Sequence, residues 1–184
     1  LRIERAVIGG LSMGGYVALA FYRKYPDRAQ ALLLCDTRAA ADSPEARRGR
    51  AETAELVRTQ GVGPLVDRML PRLLAPLTFD QRPEVVDRIR RMILRAPPRG
   101  VIGALQGMAE RPDATALLPE IRCPVLIVVG AHDALTPPAE AETMREKLPN
   151  ARLAVVASAG HMAPMENPAA VNAAIETFLK AAQE

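Results

Sequence analysis

The stretch Ala6–Phe21, AVIGGLSMGGYVALAF, decides the fold. The apolar run from Arg5 to Gly10 reads as a buried strand, and Tyr16, Val17, Ala20 and Phe21 recur at helical spacing until Pro26. Between them, four glycines crowd around Ser12. A strand that ends at Gly10 before a helix opening near Met13 leaves a very tight turn, whose apex is forced into a strained backbone conformation. Side chains two positions before and after the apex would collide, so Gly10 and Gly14 are expected to remove them and Gly15 to let the helix pack close to the strand. Such a turn lifts the Ser12 hydroxyl above the sheet, with the Met13 backbone N–H and the helix N-terminus aimed at an oxyanion.

Three more apolar runs bounded by turn residues read as buried parallel strands: Ala31–Asp36, Pro124–Gly130 and Ala151–Ala157. Met144 and Leu148 follow the helix-starting TPPAE. Val171, Ile175, Phe178 and Leu179 stripe a last helix, with Asn167 as N-cap and Pro168 in its first turn. Strand and helix alternate, so the class is α/β with a parallel sheet flanked by helices. The alternation breaks after Arg38. Val62, Leu65, Val66, Met69, Leu70, Leu73 and Leu74 form one helical stripe, and Val85, Val86, Ile89, Met92 and Ile93 form another. The chain therefore divides into core residues 1–37, an inserted helical segment over 38–111, and core residues 112–184.

At 184 residues, with 49% hydrophobic and only 3% aromatic residues, the sequence fits a single globular domain with an aliphatic core. The longest apolar run, Pro124–Ala131, falls short of the about 18 residues of a membrane span. The net charge of +3 comes from arginines interleaved with acids; with no dense basic run and few aromatics, nucleic-acid binding is not expected. Cys35 and Cys123 lie far apart without metal-ligand spacing, so both read as reduced structural residues and no metal is expected. That usage fits the cytoplasm.

Two later loops carry the remaining chemistry. VLIVVGAHDALTPP sets Asp133 just past one strand, and VVASAGHMAPMENP sets His161 just past the next. Ser12, Asp133 and His161 thus fall at the carboxyl edge of one parallel sheet, where α/β folds bind ligands. A serine hydroxyl becomes a good nucleophile when an imidazole takes its proton, and the imidazole needs a carboxylate to fix its tautomer. Asp36 ends a strand on the same edge and competes with Asp133 for that third role. His132, adjacent to Asp133, is expected to point away. The bland alternatives are a structural turn serine at Ser12 and a capping or core histidine at His161.

GLSMGG, GAHD and GHMAPMENP together resemble the nucleophile, acid and histidine loops of the α/β-hydrolase superfamily, most nearly its serine carboxylesterase and enol-lactonase-like branch. The resemblance implies a serine hydrolase acting on a small ester or lactone without cofactor, with Ser12 as nucleophile, His161 as base and then acid, Asp133 orienting it, and Met13 N–H in the oxyanion hole. It makes the inserted helices a cap, whose Met69, Leu70, Leu73, Phe79, Met92 and Met108 are candidates for an acyl pocket. An apolar lid with few charges would favour uncharged esters. The resemblance also implies further strands before the elbow, which supply a second oxyanion donor; losing one such donor costs about 3 kcal/mol in the transition state. The chain is therefore expected to be a fragment of a longer hydrolase, or to pair through the Arg5–Gly10 edge in a homodimer. A hydrolase-fold protein that only binds a small signal molecule is the alternative from another class, and thioesterase, carbon–carbon hydrolase and perhydrolase chemistry share these loops.

Overall fold

The computed structural model describes residues 3–181. Its sheet has four parallel strands in the order β1 (Ala6–Leu11), β2 (Ala29–Cys35), β3 (Val125–Gly130) and β4 (Ala151–Val156). Period-two alternation along the two central strands divides the core between the sheet's faces. Leu32 and Leu34 of β2, with Val125, Ile127 and Val129 of β3, face α1 (Met13–Lys24) and α7 (Pro138–Lys147), where Leu19, Tyr22 and Met144 are buried. Ala31, Cys35, Leu126 and Val128 face the other way, against Val171 and Phe178 of α9 (Pro168–Ala181) and Ala163 of the short α8 (Ala163–Glu166). Asn167 caps α9 by accepting the Ala170 N–H at 3.2 Å, as its position before Pro168 predicts.

Between β2 and β3 the chain leaves the sheet through α2 (Pro44–Gln60), α3 (Leu65–Leu73), α4 (Pro76–Gln81), α5 (Pro83–Arg95) and α6 (Pro98–Glu110). Proline opens four of these helices at a position whose N–H needs no partner. Ser43 caps α2 by accepting the Ala46 N–H. Val66, Leu70 and Leu74 pack against Val85, Val86 and Ile89 of α5 in a small core of their own. A 3-10 turn, Thr115–Glu120, then returns Leu117 and Leu118 to the main core.

The structure corrects several boundaries. The first stripe does not begin at Val62: Gly61, Gly63 and Pro64 keep that segment in a turn, and α3 starts at Leu65. β1 does not stop at Gly10 but runs to Leu11, so a single residue, Ser12, separates it from α1. β4 ends at Val156, one residue short of the expected end. Among the described residues, β1 is an edge strand with β2 as its one neighbour. No described helix is long and apolar enough to cross a membrane.

The glycines of the one-residue turn have unequal roles. A Cβ on Gly10 would lie 2.0 Å from the Gly14 carbonyl carbon, so only glycine fits there. A Cβ on Gly14 would meet nothing within 4 Å, contrary to the expectation that it too relieves a collision. The pinch is one-sided because it is the Gly14 backbone that approaches Gly10. Gly15 clears space for the Thr37 side chain beyond β2 rather than for its own strand: a Cβ there would sit 2.4 Å from Thr37 Oγ1. Gly10→Ala is expected to destabilise the protein by about 3 kcal/mol or more, and Gly14→Ala to change stability by about 1 kcal/mol or less. Urea unfolding midpoints of the two variants check this; equal losses would contradict it.

Candidate active site

Ser12 sits at the apex with φ 52° and ψ −113°, a conformation that non-glycine residues adopt only under constraint. Both of its backbone polar groups are pinned. Its N–H donates to Cys35 C=O at 2.8 Å, extending the ladder between β1 and β2 by one rung. Its C=O accepts the Thr37 hydroxyl at 2.8 Å and the Gly15 N–H at 2.9 Å. The strained residue therefore carries no unsatisfied backbone group, and its side chain faces a cleft of about 610 Å³ between the sheet and the inserted helices. The Met13 N–H, at the first residue of α1, lies at the positive end of that helix.

His161 opens on the same cleft, although nearly all of its surface is buried. Its Nδ1 lies 2.8 Å from Asp133 Oδ2. Asp133 is itself held by the Leu135 and Thr136 N–H groups at 2.8 and 2.9 Å and by the Thr136 hydroxyl at 2.7 Å. Burial pushes the Asp133 carboxyl upward, but the His161 hydrogen bond and charge, with the Thr136 donors, outweigh it and hold the group below the usual carboxylate range. An ionised acid on Nδ1 leaves the other imidazole nitrogen free to accept a proton.

Asp36 does not reach His161. It lies fully buried past the end of β2, accepting the Gly130 N–H on Oδ1 at 2.8 Å and the Ala163 N–H on Oδ2 at 3.3 Å. Burial pushes its carboxyl up to about 8; the Gly130 N–H opposes the shift and the Asp133 charge adds to it. Of the two acids, Asp133 touches the histidine, whereas Asp36 ties β3 to α8. His132 is exposed and donates its backbone N–H to Ala159 C=O. Glu166 and Thr37, which the sequence reading passed over, also brace these loops.

Of the six pocket candidates, Met69, Leu73 and Met108 line the cleft. The other three do not. Leu70 turns with Val66 and Leu74 into the α3–α5 core, because residues four apart share a helix face, as Met69 and Leu73 share the cleft face. Phe79 on α4 is 38% exposed and Met92 on α5 is 52% exposed, outside the cleft. The expectation of a lid with few charges also fails, since Arg38, Asp42, Glu45, Arg50, Arg68 and Arg72 line the same space. Asp42 is buried and held below its usual range: burial raises it, but hydrogen bonds from Arg50 and Arg111 prevail. Arg38 pairs with Glu140 at 3.4 Å. A second hollow of about 750 Å³ opens at the amino ends of the strands around Arg5, Gln30 and Cys123, and contains neither Ser12 nor His161.

A one-residue elbow at the edge of a parallel sheet and an aspartate-bound histidine thus open on one cleft. The alpha/beta hydrolase fold family matches residues 1–168, and the chain belongs to that family. It is similar to an esterase from Thermogutta terrifontis, solved with malate bound, at 51% identity and a TM-score of 0.96 over 98% of this chain and 66% of that one. An enol-lactonase from Burkholderia xenovorans has 29% identity and a TM-score of 0.88 over 97% of this chain and 67% of its own. By sequence, 3-oxoadipate enol-lactonase 2 of Acinetobacter baylyi is 29% identical over 180 residues, 98% of this chain and 66% of the relative. A pimeloyl-(acyl-carrier protein) methyl ester esterase of Neisseria meningitidis is 32% identical over 196 residues, 95% of this chain and 70% of the relative. The chain thus spans about two thirds of the length of these relatives.

The raised Asp36 carboxyl carries a pH signature. Well below pH 3.8, Asp36 is protonated folded or unfolded; from there to about pH 8 only the unfolded chain releases the proton, so its contribution to stability is lost as pH rises. Asp36→Asn is expected to flatten the fall in urea midpoint across that interval and to leave turnover within about tenfold of wild type. An unchanged pH slope would contradict the raised value.

Proposed function

We propose that the protein is a serine hydrolase cleaving a carboxylic ester or lactone through an acyl-enzyme. The observation that carries this reading is the buried His161–Asp133 pair, at 2.8 Å, opening on the cleft that Ser12 also faces. In acylation, Ser12 Oγ bonds the substrate carbonyl carbon while its proton passes to His161; the carbon–oxygen bond then breaks and His161 returns the proton to the leaving alcohol. Water, deprotonated by the same histidine, then bonds the acyl carbon; the bond to Ser12 Oγ breaks, the acid leaves and His161 returns the proton to the serine. In this reading the Met13 N–H donates to the developing oxyanion. The step needs no metal or organic cofactor. The similarity to an enol-lactonase, a methyl ester esterase and a thermophilic esterase supports small esters or lactones as substrates.

The cleft charges narrow the class. Arg50 is committed to Asp42 and Arg38 to Glu140. Arg68 and Arg72 are one turn apart on α3, on the wall that also presents Met69 and Leu73. An apolar wall edged by two cations favours an acyl group that ends in a carboxylate, because a cleft with low-dielectric walls concentrates the field of its charges.

One assay tests both parts. Hydrolysis of p-nitrophenyl butyrate is expected to fall about a thousandfold or more in Ser12→Ala. With mono-p-nitrophenyl adipate, kcat/KM is expected to drop about tenfold in Arg68→Ala/Arg72→Ala, the sum of two modest exposed charge contacts, while the butyrate value stays within about twofold. Undiminished turnover in Ser12→Ala would overturn the hydrolase reading. Equal losses on the two esters would overturn the acidic-substrate reading alone.

A further inference from the structure

Glu166, the last residue of α8, is a buried carboxylate that the triad chemistry does not use. All of its accepting capacity is taken up. Oε1 accepts the Gly160 N–H at 2.8 Å and the Met162 N–H at 3.3 Å, the two amides that bracket His161. Oε2 accepts the Ala75 N–H at 2.7 Å and the Thr78 hydroxyl at 2.6 Å, both at the start of α4 in the inserted helices. A carboxylate this deep is tolerable because four donors replace its water. The same four bonds join two segments more than eighty residues apart in sequence.

The surroundings reinforce that junction. Met162 N–H also donates to Leu73 C=O at 3.2 Å, and Leu73 lines the cleft. A Cβ on Gly160 would lie 2.6 Å from the Ala75 nitrogen, so the histidine loop and the α3–α4 corner meet backbone to backbone. Arg82 donates to Glu166 C=O at 3.1 Å from the start of α5. His161 is thus fixed at its ring by Asp133 and at its main chain by Glu166. The first anchor belongs to the sheet edge, and the second, on α8, ties the loop to the inserted helices.

We propose that Glu166 is a positioning residue for His161, one that makes the placement of the base depend on the α3–α4 corner. The proposal rests on the reading of His161 as the general base. A shift of this corner moves Gly160 and Met162 together and with them the imidazole. Catalysis tolerates little such movement, since a misplacement of about 1 Å can cost about a hundredfold in rate.

The test separates positioning from mere scaffolding by counting competent sites. Wild type, Glu166→Gln and Thr78→Val are titrated to endpoint with a fluorophosphonate, and kcat per titrated site and KM are then measured on p-nitrophenyl butyrate. In Glu166→Gln an amide N–H₂ faces one pair of N–H or O–H donors, and kcat per titrated site is expected to fall about 10- to 100-fold with KM within about threefold. Thr78→Val removes one donor from the far side of the carboxylate, with no contact to His161, and is expected to lower kcat per site about 3- to 10-fold. If Glu166→Gln fails to fold, Thr78→Val decides alone. Unchanged kcat per titrated site, with losses confined to the number of sites or to Tm, would overturn the proposal. Failure of the wild type to take up the fluorophosphonate would instead overturn the hydrolase reading on which it rests.

Discussion

The strained backbone of Ser12 is the constraint on which the remaining architecture depends. A non-glycine residue at φ 52° stores about 1–3 kcal/mol and persists only where its surroundings over-determine it. Here the surroundings are specific. Cys35 C=O takes its N–H, Thr37 and Gly15 hold its C=O, and Gly10 allows the helix to turn back within a single residue. The Cys35 and Thr37 contacts require β2 to lie beside β1 in its observed register, with Leu11 opposite Cys35. The parallel sheet thus fixes where the serine stands, and the elbow in turn fixes where β2 must end.

Three buried carboxyl side chains near this edge show how environment divides similar groups. Asp133 accepts three protein donors besides the imidazole and remains ionised. Burial pushes Asp36 up to about 8, against two backbone donors that lower it and with the Asp133 charge adding to the rise. Glu166 takes four donors, two from each of the segments it joins. The role of each group follows its surroundings rather than its residue type. The histidine loop rests on all three: Asp133 on its ring, Glu166 on its backbone, and Asp36 on Ala163 at the start of α8.

Much of this was legible in the sequence because it is local. The four strands, the tight turn around Ser12 and the loops bearing Asp133 and His161 all leave their mark within about ten residues, where glycine, proline and periodicity speak directly. What was not legible depends on contacts between distant segments. Thr37 and half of the Glu166 contacts carry no local signature: they reach Ser12 C=O, and Ala75 and Thr78, all remote in the chain. The Gly14 reading failed because a turn drawn as symmetric is pinched on one side. Leu70, Phe79 and Met92 were misassigned because helical spacing identifies a shared face without saying whether it meets the cleft, a neighbouring helix or water. The cleft's arginines were missed for a related reason, since α2, α3 and the loop after β2 contribute them separately.

The central claim is that the constrained Ser12 carries the acyl group, with His161 as its activating base. Its most direct test is mass spectrometry of the protein quenched in acid during turnover of p-nitrophenyl butyrate, followed by peptide mapping. The account predicts a butyryl adduct on the peptide containing Ser12, absent when His161 is replaced by alanine. Turnover with no adduct, or with the acyl group on another residue, would contradict it.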